Sequence, residues 1–247
     1  MSSLFFRTQA VSNLTVRELG HTELQPAAEL LGRGMCDNPV NVRVFRVSDR
    51  DQRSQALVRF FASVMRSLYN RGLILGAFHG DSLVGVCGVA KPGACQPGLL
   101  DKLRIVPSAI FGNPLGTAPR LLRWEGAWAR RDPPEPHWHL GPVAVDPQFQ
   151  GQGIGSTMLV AFCTHVDDCA ALSYLETDKF RNIRFYQKFG FTVLAEAKVM
   201  GVSNWFLSRP PNRRLPTTVN AELLPVQSND LPRDIVESEN IFSVRRT

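Results

Sequence analysis

Lysine is scarce in this 247-residue chain, with 5 against 23 arginines in a set of 28 basic and 22 acidic residues and a formal net charge of +6. Clusters of basic charge are missing too. No run exceeds two, Arg130-Arg131, Arg213-Arg214 and Arg245-Arg246 are isolated doublets, and no aromatic residues interleave them. The concentrated basic face or tail of a nucleic-acid binder is therefore absent, and a small polyanionic ligand suits the charge better. No segment approaches 18 consecutive apolar residues, and residues 1–13 hold one Arg and no run long enough for a signal-peptide core. No membrane partner and a reducing, cytoplasmic location are expected. The five cysteines, Cys36, Cys87, Cys95, Cys163 and Cys169, lack the paired Cys-x-x-Cys spacing of structural zinc sites, so neither a metal nor a disulfide framework is expected. With 44% hydrophobic and 20% charged residues, what remains is a globular chain with a real core.

Residues 14–19 alternate apolar and polar and predict a first strand, after which Thr22 opens a helix over residues 24–31 that Gly32 and Gly34 interrupt. A second helix is predicted over residues 49–69, where Leu57, Phe60, Phe61, Val64, Met65 and Leu68 recur as one stripe. Residues 73–78 and 83–89 predict an antiparallel pair joined by His79-Gly80-Asp81-Ser82. Residues 92–136 form a proline-rich, irregular insertion with helical patches at 99–105 and 121–130, of a length more often functional than idle. A strand (138–145), a glycine-rich turn, a helix (156–166), a strand (171–176), a helix (181–189) and two strands (191–197, 199–207) follow, an α/β block with a mixed sheet. Residues 210–247, with five prolines, five Arg and five Asp or Glu, are expected to form an extended or disordered tail, docking onto the body being the alternative. Its net charge is zero, so the +6 belongs to residues 1–209.

The most informative segment is residues 140–156, a strand, a Pro-marked turn and glycines at 151, 153 and 155 leading into an apolar helix. Such a turn offers several backbone N–H groups at a helix N-terminus, where the macrodipole also favours anions. A P-loop would need Gly-Lys-Ser/Thr, and Gly155-Ser156 lacks the lysine. The dinucleotide fingerprint needs Gly-x-Gly-x-x-Gly and an acidic residue ending a second parallel strand, and this is Gly-x-Gly-x-Gly. Coenzyme A is the phosphate-bearing ligand left, the alternative being a tight loop whose glycines serve only packing.

Val143-Ala-Val-Asp-Pro147 followed by Gln150-Gly-Gln-Gly-Ile-Gly155 resembles the acetyl-CoA motif, Gln/Arg-x-x-Gly-x-Gly/Ala, of the GNAT superfamily of N-acetyltransferases. About thirty residues on, the segment 175–191, with Leu175-Glu-Thr, Arg181-Asn-x-x-Phe-Tyr and Tyr186-x-x-x-Gly-Phe191, is similar to the next strand and helix of that superfamily. Within it, the Trp138-x-Leu-x-x-Val-x-Val strand and the long connection before it look most like the puromycin N-acetyltransferase type.

The resemblance implies an α/β fold with a central mixed, mostly antiparallel sheet, a splayed parallel strand pair and helices on both faces, over residues 10–209. It implies acetyl-CoA as co-substrate. Val143, Ala144 and Val145 would offer backbone to the pantetheine arm entering the splay, with Gly141-Pro142 as the bulge. Gln150, Gly151, Gln152, Gly153, Ile154, Gly155 and Ser156 would cradle the pyrophosphate, and Asn182 would contact the pantetheine. Tyr186 stands where a phenol protonates the departing thiolate, the alternative being a ring packed on Phe185 and Phe189. An ammonium acceptor must lose a proton before attack. His139 and Glu176 are the candidate bases, although His139 is as well explained as packing beside Trp138, and Glu176 as orienting the ammonium. His137, after Pro136, reads as surface. Phe45, Phe61, Trp124 and Trp128 line an acceptor pocket or, as is commoner for aromatics, sit in the core. The expected activity is acetyl transfer to the primary amine of a small molecule by a monomer or homodimer. The alternatives are a protein or peptide N-acetyltransferase and a CoA-binding module without turnover.

Overall fold

The computed structural model describes residues 13–96, 98, 113–212 and 243–244. From the N-terminal side, β1 (Leu14–Glu18) lies antiparallel to β2 (Gly72–His79), and β2 to β3 (Ser82–Ala90) across the Gly80-Asp81 turn. β3 runs antiparallel to β4 (His137–Val145), and β4 runs parallel to β5 (Leu172–Thr177). β5 pairs antiparallel with β7 (Val202–Arg209), which pairs with β6 (Thr192–Val199). The two-residue β8 (Ser243–Val244) lies parallel to β1, and the strand order is β6-β7-β5-β4-β3-β2-β1-β8. This is the mixed, mostly antiparallel sheet expected.

Helices cover both faces. α5 (Ile154–Asp168) and α6 (Arg181–Gln187) bury Ile154, Met158, Phe162 and Tyr186 against Leu75, Val89, Leu140 and Leu175. On the other face α1 (Leu24–Met35), α2 (Pro39–Phe45) and α3 (Arg50–Arg71) bury Leu31, Phe45, Leu57 and Met65 over Ile74 and Val86. α4 (Thr117–Ala129), from the insertion, lays Trp124 and Trp128 on Tyr174, Val199 and Phe206.

Two readings of the sequence need correction. α1 runs through Gly32 and Gly34 instead of stopping before them. Those glycines serve close packing: a Cβ on Gly32 would stand 2.4 Å from Val58 Cγ2 and 2.9 Å from the Ser54 carbonyl on α3, and one on Gly34 would stand 2.9 Å from Ala144 Cβ on β4. α2 was not foreseen; Pro39 opens it at a position where a missing N–H costs nothing, and Asp178 accepts a hydrogen bond from the Val40 amide at 2.8 Å. The predicted patch at 121–130 is α4, whereas the patch at 99–105 lies outside the described residues. So does the 210–247 segment, apart from residues 210–212 and 243–244.

Arginine is used internally. Arg53 is buried and donates to the Cys36, Val47 and Ser48 carbonyls and to Asp37. Arg209 donates to Asp167 at 2.6 and 2.7 Å and to the Phe189 carbonyl at 2.7 Å, tying the end of β7 to the end of α5. A guanidinium presents five donors in a rigid fork, so it can hold several acceptors at once where an ammonium cannot. Much of the arginine excess therefore reflects internal clamps as well as any attraction for a ligand.

Candidate active site

β4 and β5 pair only at His137↔Leu172, Trp138↔Ser173 and His139↔Tyr174; beyond that register they separate. On its other edge β4 stays with β3, but Leu140↔Val89 is followed by Val143↔Cys87, so Gly141 and Pro142 together oppose Gly88. The extra residue is a bulge at the position predicted. It resets the alternation, so that Leu140, Val143 and Val145 all pack toward α5 while Ala144 packs toward α1. Backbone of Val143, Ala144 and Val145 thus borders the gap between the two strands.

The glycine-rich turn closes the wide end of this gap. Gly151 and Gly153 have φ +80° and +82°, the left-handed region that a Cβ disfavours, and Gly153 is the residue that begins α5. The first backbone bond of the helix is Thr157 N–H to the Gly153 carbonyl at 3.1 Å, so the amides of Ile154, Gly155 and Ser156 have no intrahelical acceptor. Gly155 is helical, and a Cβ there would touch Phe185 Cζ at 3.4 Å. Gln150 and Gln152 brace the turn from within, donating to the Val145 carbonyl at 3.1 Å and the Gln148 carbonyl at 3.4 Å. The turn has the free amides, left-handed glycines and helix dipole that a pyrophosphate requires.

Tyr186 lies on α6 in the core toward the α5 face, 7% exposed, with Phe185 and Phe191 rings 5.3 and 5.9 Å away. Burial pushes its pKa up, favouring the protonated phenol. Asn182 donates to Thr177 Oγ1 at 3.1 Å, which places it at the end of β5 and leaves its carbonyl oxygen available. Phe45 and Phe61 are core residues at 0% and 3% exposure, while Trp124 and Trp128 stack edge to face 4.9 Å apart on α4.

On the opposite face, at the apex where β4 leaves β5, the structure brings His139 and Glu176 together: His139 Nε2 is 2.8 Å from Glu176 Oε2. The Glu176 side chain is 2% exposed, and its Oε1 has no hydrogen-bond partner among the described residues. Both histidine rings lean on Tyr174, with centroids 5.3 Å (His137) and 5.4 Å (His139) away. Burial alone would lower the His139 pKa, but Glu176, with Cys95 and Asp132, more than offsets it and holds it well above the ordinary value. An imidazole bonded to Glu176 in that field serves better to position the carboxylate than to accept a proton.

Three neighbours were missed in the sequence. His137, expected at the surface, is 5% exposed because it starts a central strand beneath the insertion. Cys95 Sγ stands 3.4 Å from His137 Nε2, and Asp132 Oδ1 stands 3.9 Å from His139 Nδ1. Burial would raise the Cys95 thiol pKa, but His137 and His139 outweigh it and bring it down to about 7. The legible signal was His137-x-His139, two histidines on one face of a strand; Cys95 and Asp132 arrive from the two ends of an irregular segment with no periodicity to place them.

A gap between splayed parallel strands, with an amide-lined turn on the helix that follows, defines an acyl-CoA-type acyltransferase architecture. The model of the acetyltransferase (GNAT) family matches residues 43–191, and the chain belongs to that family, whose members use acetyl-CoA as co-substrate. Solved structures agree on the fold. "Histone acetyltransferase HPA2 and related acetyltransferase" from Corynebacterium glutamicum is 23% identical with a TM-score of 0.61, covering 83% of this chain and 99% of its own. Arylalkylamine N-acetyltransferase 2 from Aedes aegypti is 11% identical at 0.56, covering 81% and 100%. A variant of agmatine N-acetyltransferase is 15% identical at 0.51, with the same coverages.

Proposed function

We propose that the chain transfers the acetyl group of acetyl-CoA to a primary amine of a small molecule by direct attack. The observation that carries this reading is the opening of β4 from β5 between the free amides of α5 on one side and the buried Glu176 carboxylate on the other. The pantetheine arm enters the opening beside Val143, Ala144 and Val145, pairing with strand backbone as an added strand would. Ile154, Gly155 and Ser156 amides take the pyrophosphate, and Asn182 contacts the arm from α6.

The acceptor approaches from the α3 and α4 face. Glu176 Oε1, free of hydrogen bonds among the described residues, attracts the ammonium and takes up its proton, directly or through water, as the nitrogen adds to the thioester carbonyl. His139 donates its Nε2 proton to Oε2 and fixes the carboxylate. The tetrahedral adduct then collapses, and Tyr186, held protonated by burial, donates to the departing CoA thiolate. The insertion, with α4 laid over β5 to β7, favours a covered pocket for a small acceptor, in keeping with the likeness to the puromycin type.

The test is mass analysis of products after incubation with acetyl-CoA and two panels, small primary amines and peptides. Acetylated small amines are expected. Acetylation confined to peptide N-termini or lysines would instead establish the protein-directed reading, and tight CoA binding with no product in either panel would establish a binding module.

A further inference from the structure

We propose that Cys95, His137 and His139 bind a zinc ion at the apex of the β4–β5 split, with the fourth coordination position open to water. No metal was expected from the cysteine spacing, because the ligands do not share the paired spacing of familiar zinc motifs. They meet only in the fold. Ligand atoms of Cys95, His137 and His139 all lie within 4.8 Å of one another. Cys95 Sγ is 3.4 Å from His137 Nε2, and Asp132 Oδ1 is 3.9 Å from His139 Nδ1. A tetrahedral ion with bonds of about 2.0–2.3 Å spaces its ligands by about 3.3–3.8 Å, so a small contraction seats one.

The groups behind the ligands supply the independent argument. Metal-bound histidines as a rule donate their second N–H to a carbonyl or carboxylate, which fixes the ring and frees the other nitrogen. Here His137 Nδ1 is 2.8 Å from the Glu135 carbonyl, leaving Nε2 to face Cys95. His139 Nε2 is committed to Glu176 at 2.8 Å, leaving Nδ1, which is buried and has no hydrogen-bond partner among the described residues. Gln96 donates to Asp132 Oδ2, leaving Oδ1, also buried and without a hydrogen-bond partner. Both histidines are held from behind with one nitrogen free, and their ligand atoms and the Cys95 thiol lie within 4.8 Å of one another. A thiolate and two imidazoles make a set suited to zinc in preference to magnesium or calcium. Partial exposure of Cys95, and 16% and 12% exposure of the His139 and Asp132 side chains, leaves a way in.

The ion would have a definite place in the molecule. Cys95 lies at the start of the insertion and both histidines lie on β4, so the metal would pin that end of the insertion to the strand that opens toward the thioester. Binding energy at such a site becomes local folding energy. Glu176 keeps Oε1 free, so the site is compatible with acetyl transfer and does not depend on it.

Tag-free full-length protein, stripped with chelator, is titrated with zinc alone and with cobalt alone. Expected are one ion per chain and, for cobalt, a near-ultraviolet thiolate-to-metal charge-transfer band. Removing outer partners alone weakens metal sites by about 10–100-fold, so Cys95→Ser and His137→Ala are each expected to weaken zinc by at least about 100-fold. Cys169→Ser, at the exposed cysteine, should leave binding unchanged. Should Cys95→Ser fail to fold, the cobalt band of the unsubstituted chain decides. No uptake of either ion, a cobalt complex without the thiolate band, or zinc binding that survives Cys95→Ser would each overturn the site.

Discussion

Replacing Gly153 by valine separates the phosphate cradle from the rest of the CoA site. Gly153 has φ +82° and ψ −10° at the N-cap of α5, and an L residue in that region costs about 1–2 kcal/mol, a β-branched one being its worst occupant. If the turn keeps its shape, the fold loses roughly that amount. If the turn relaxes, the amides of Ile154, Gly155 and Ser156 swing away from the anion. A hydrogen bond to a charged oxygen contributes about 1.5–3 kcal/mol, so losing one weakens CoA by about 10- to 150-fold. Calorimetric titration of the variant with CoA and with pantetheine, which lacks the pyrophosphate, distinguishes the outcomes. CoA affinity is expected to fall in that range while pantetheine affinity is unchanged. A folded variant with unchanged CoA affinity, or an equal loss for both ligands, would refute the assignment of the turn to the pyrophosphate.

Arg209→Met leaves the Asp167 carboxylate, 5% exposed, without its ion-pair partner, though still accepting from the Asn212 amide, and strips a donor from the Phe189 carbonyl. Denaturant unfolding should show a loss of about 3–5 kcal/mol, largely recovered by adding Asp167→Leu; a loss under about 1 kcal/mol would contradict the clamp. Gly32→Val forces methyl groups into the α1–α3 contact, where even a Cβ would stand 2.4 Å from Val58 Cγ2, and should cost about 1–3 kcal/mol in the same assay. Glu176→Gln removes both the charge that attracts the ammonium and the acceptor of its proton, so KM for the amine should rise about 10-fold or more and kcat fall by about 10²- to 10⁴-fold, with CoA affinity unchanged. An unchanged KM would place the acceptor elsewhere.

The features legible in the sequence were those with a short-range physical signature. The stripe Leu57 to Leu68 gave α3, the Gly80-Asp81 turn gave the β2–β3 hairpin, and the glycine turn gave the start of α5, because in each case the pattern and the structure lie within one or two turns of chain. The bulge at Gly141-Pro142 was implied by the family resemblance, since a proline alone is equally at home on an edge strand. Gly32 and Gly34 misled because a glycine that breaks a helix and one that lets another element approach look alike until the partner is placed. Cys95, Asp132 and His137 were missed for a related reason: their juxtaposition is decided by where the insertion returns to β4, which composition does not encode. His139 and Glu176 were singled out separately, and only the β4–β5 register made them a pair.

The most direct measurement of the central claim is thiol release from acetyl-CoA in the presence of a small primary amine, compared between the unsubstituted chain and Tyr186→Phe. The account predicts amine-dependent thiol release whose kcat falls by about 10²- to 10⁴-fold in the variant, with CoA affinity retained. Tight CoA binding without amine-dependent release in the unsubstituted chain would contradict the enzyme reading, and an unchanged kcat in Tyr186→Phe would contradict the assignment of the acid.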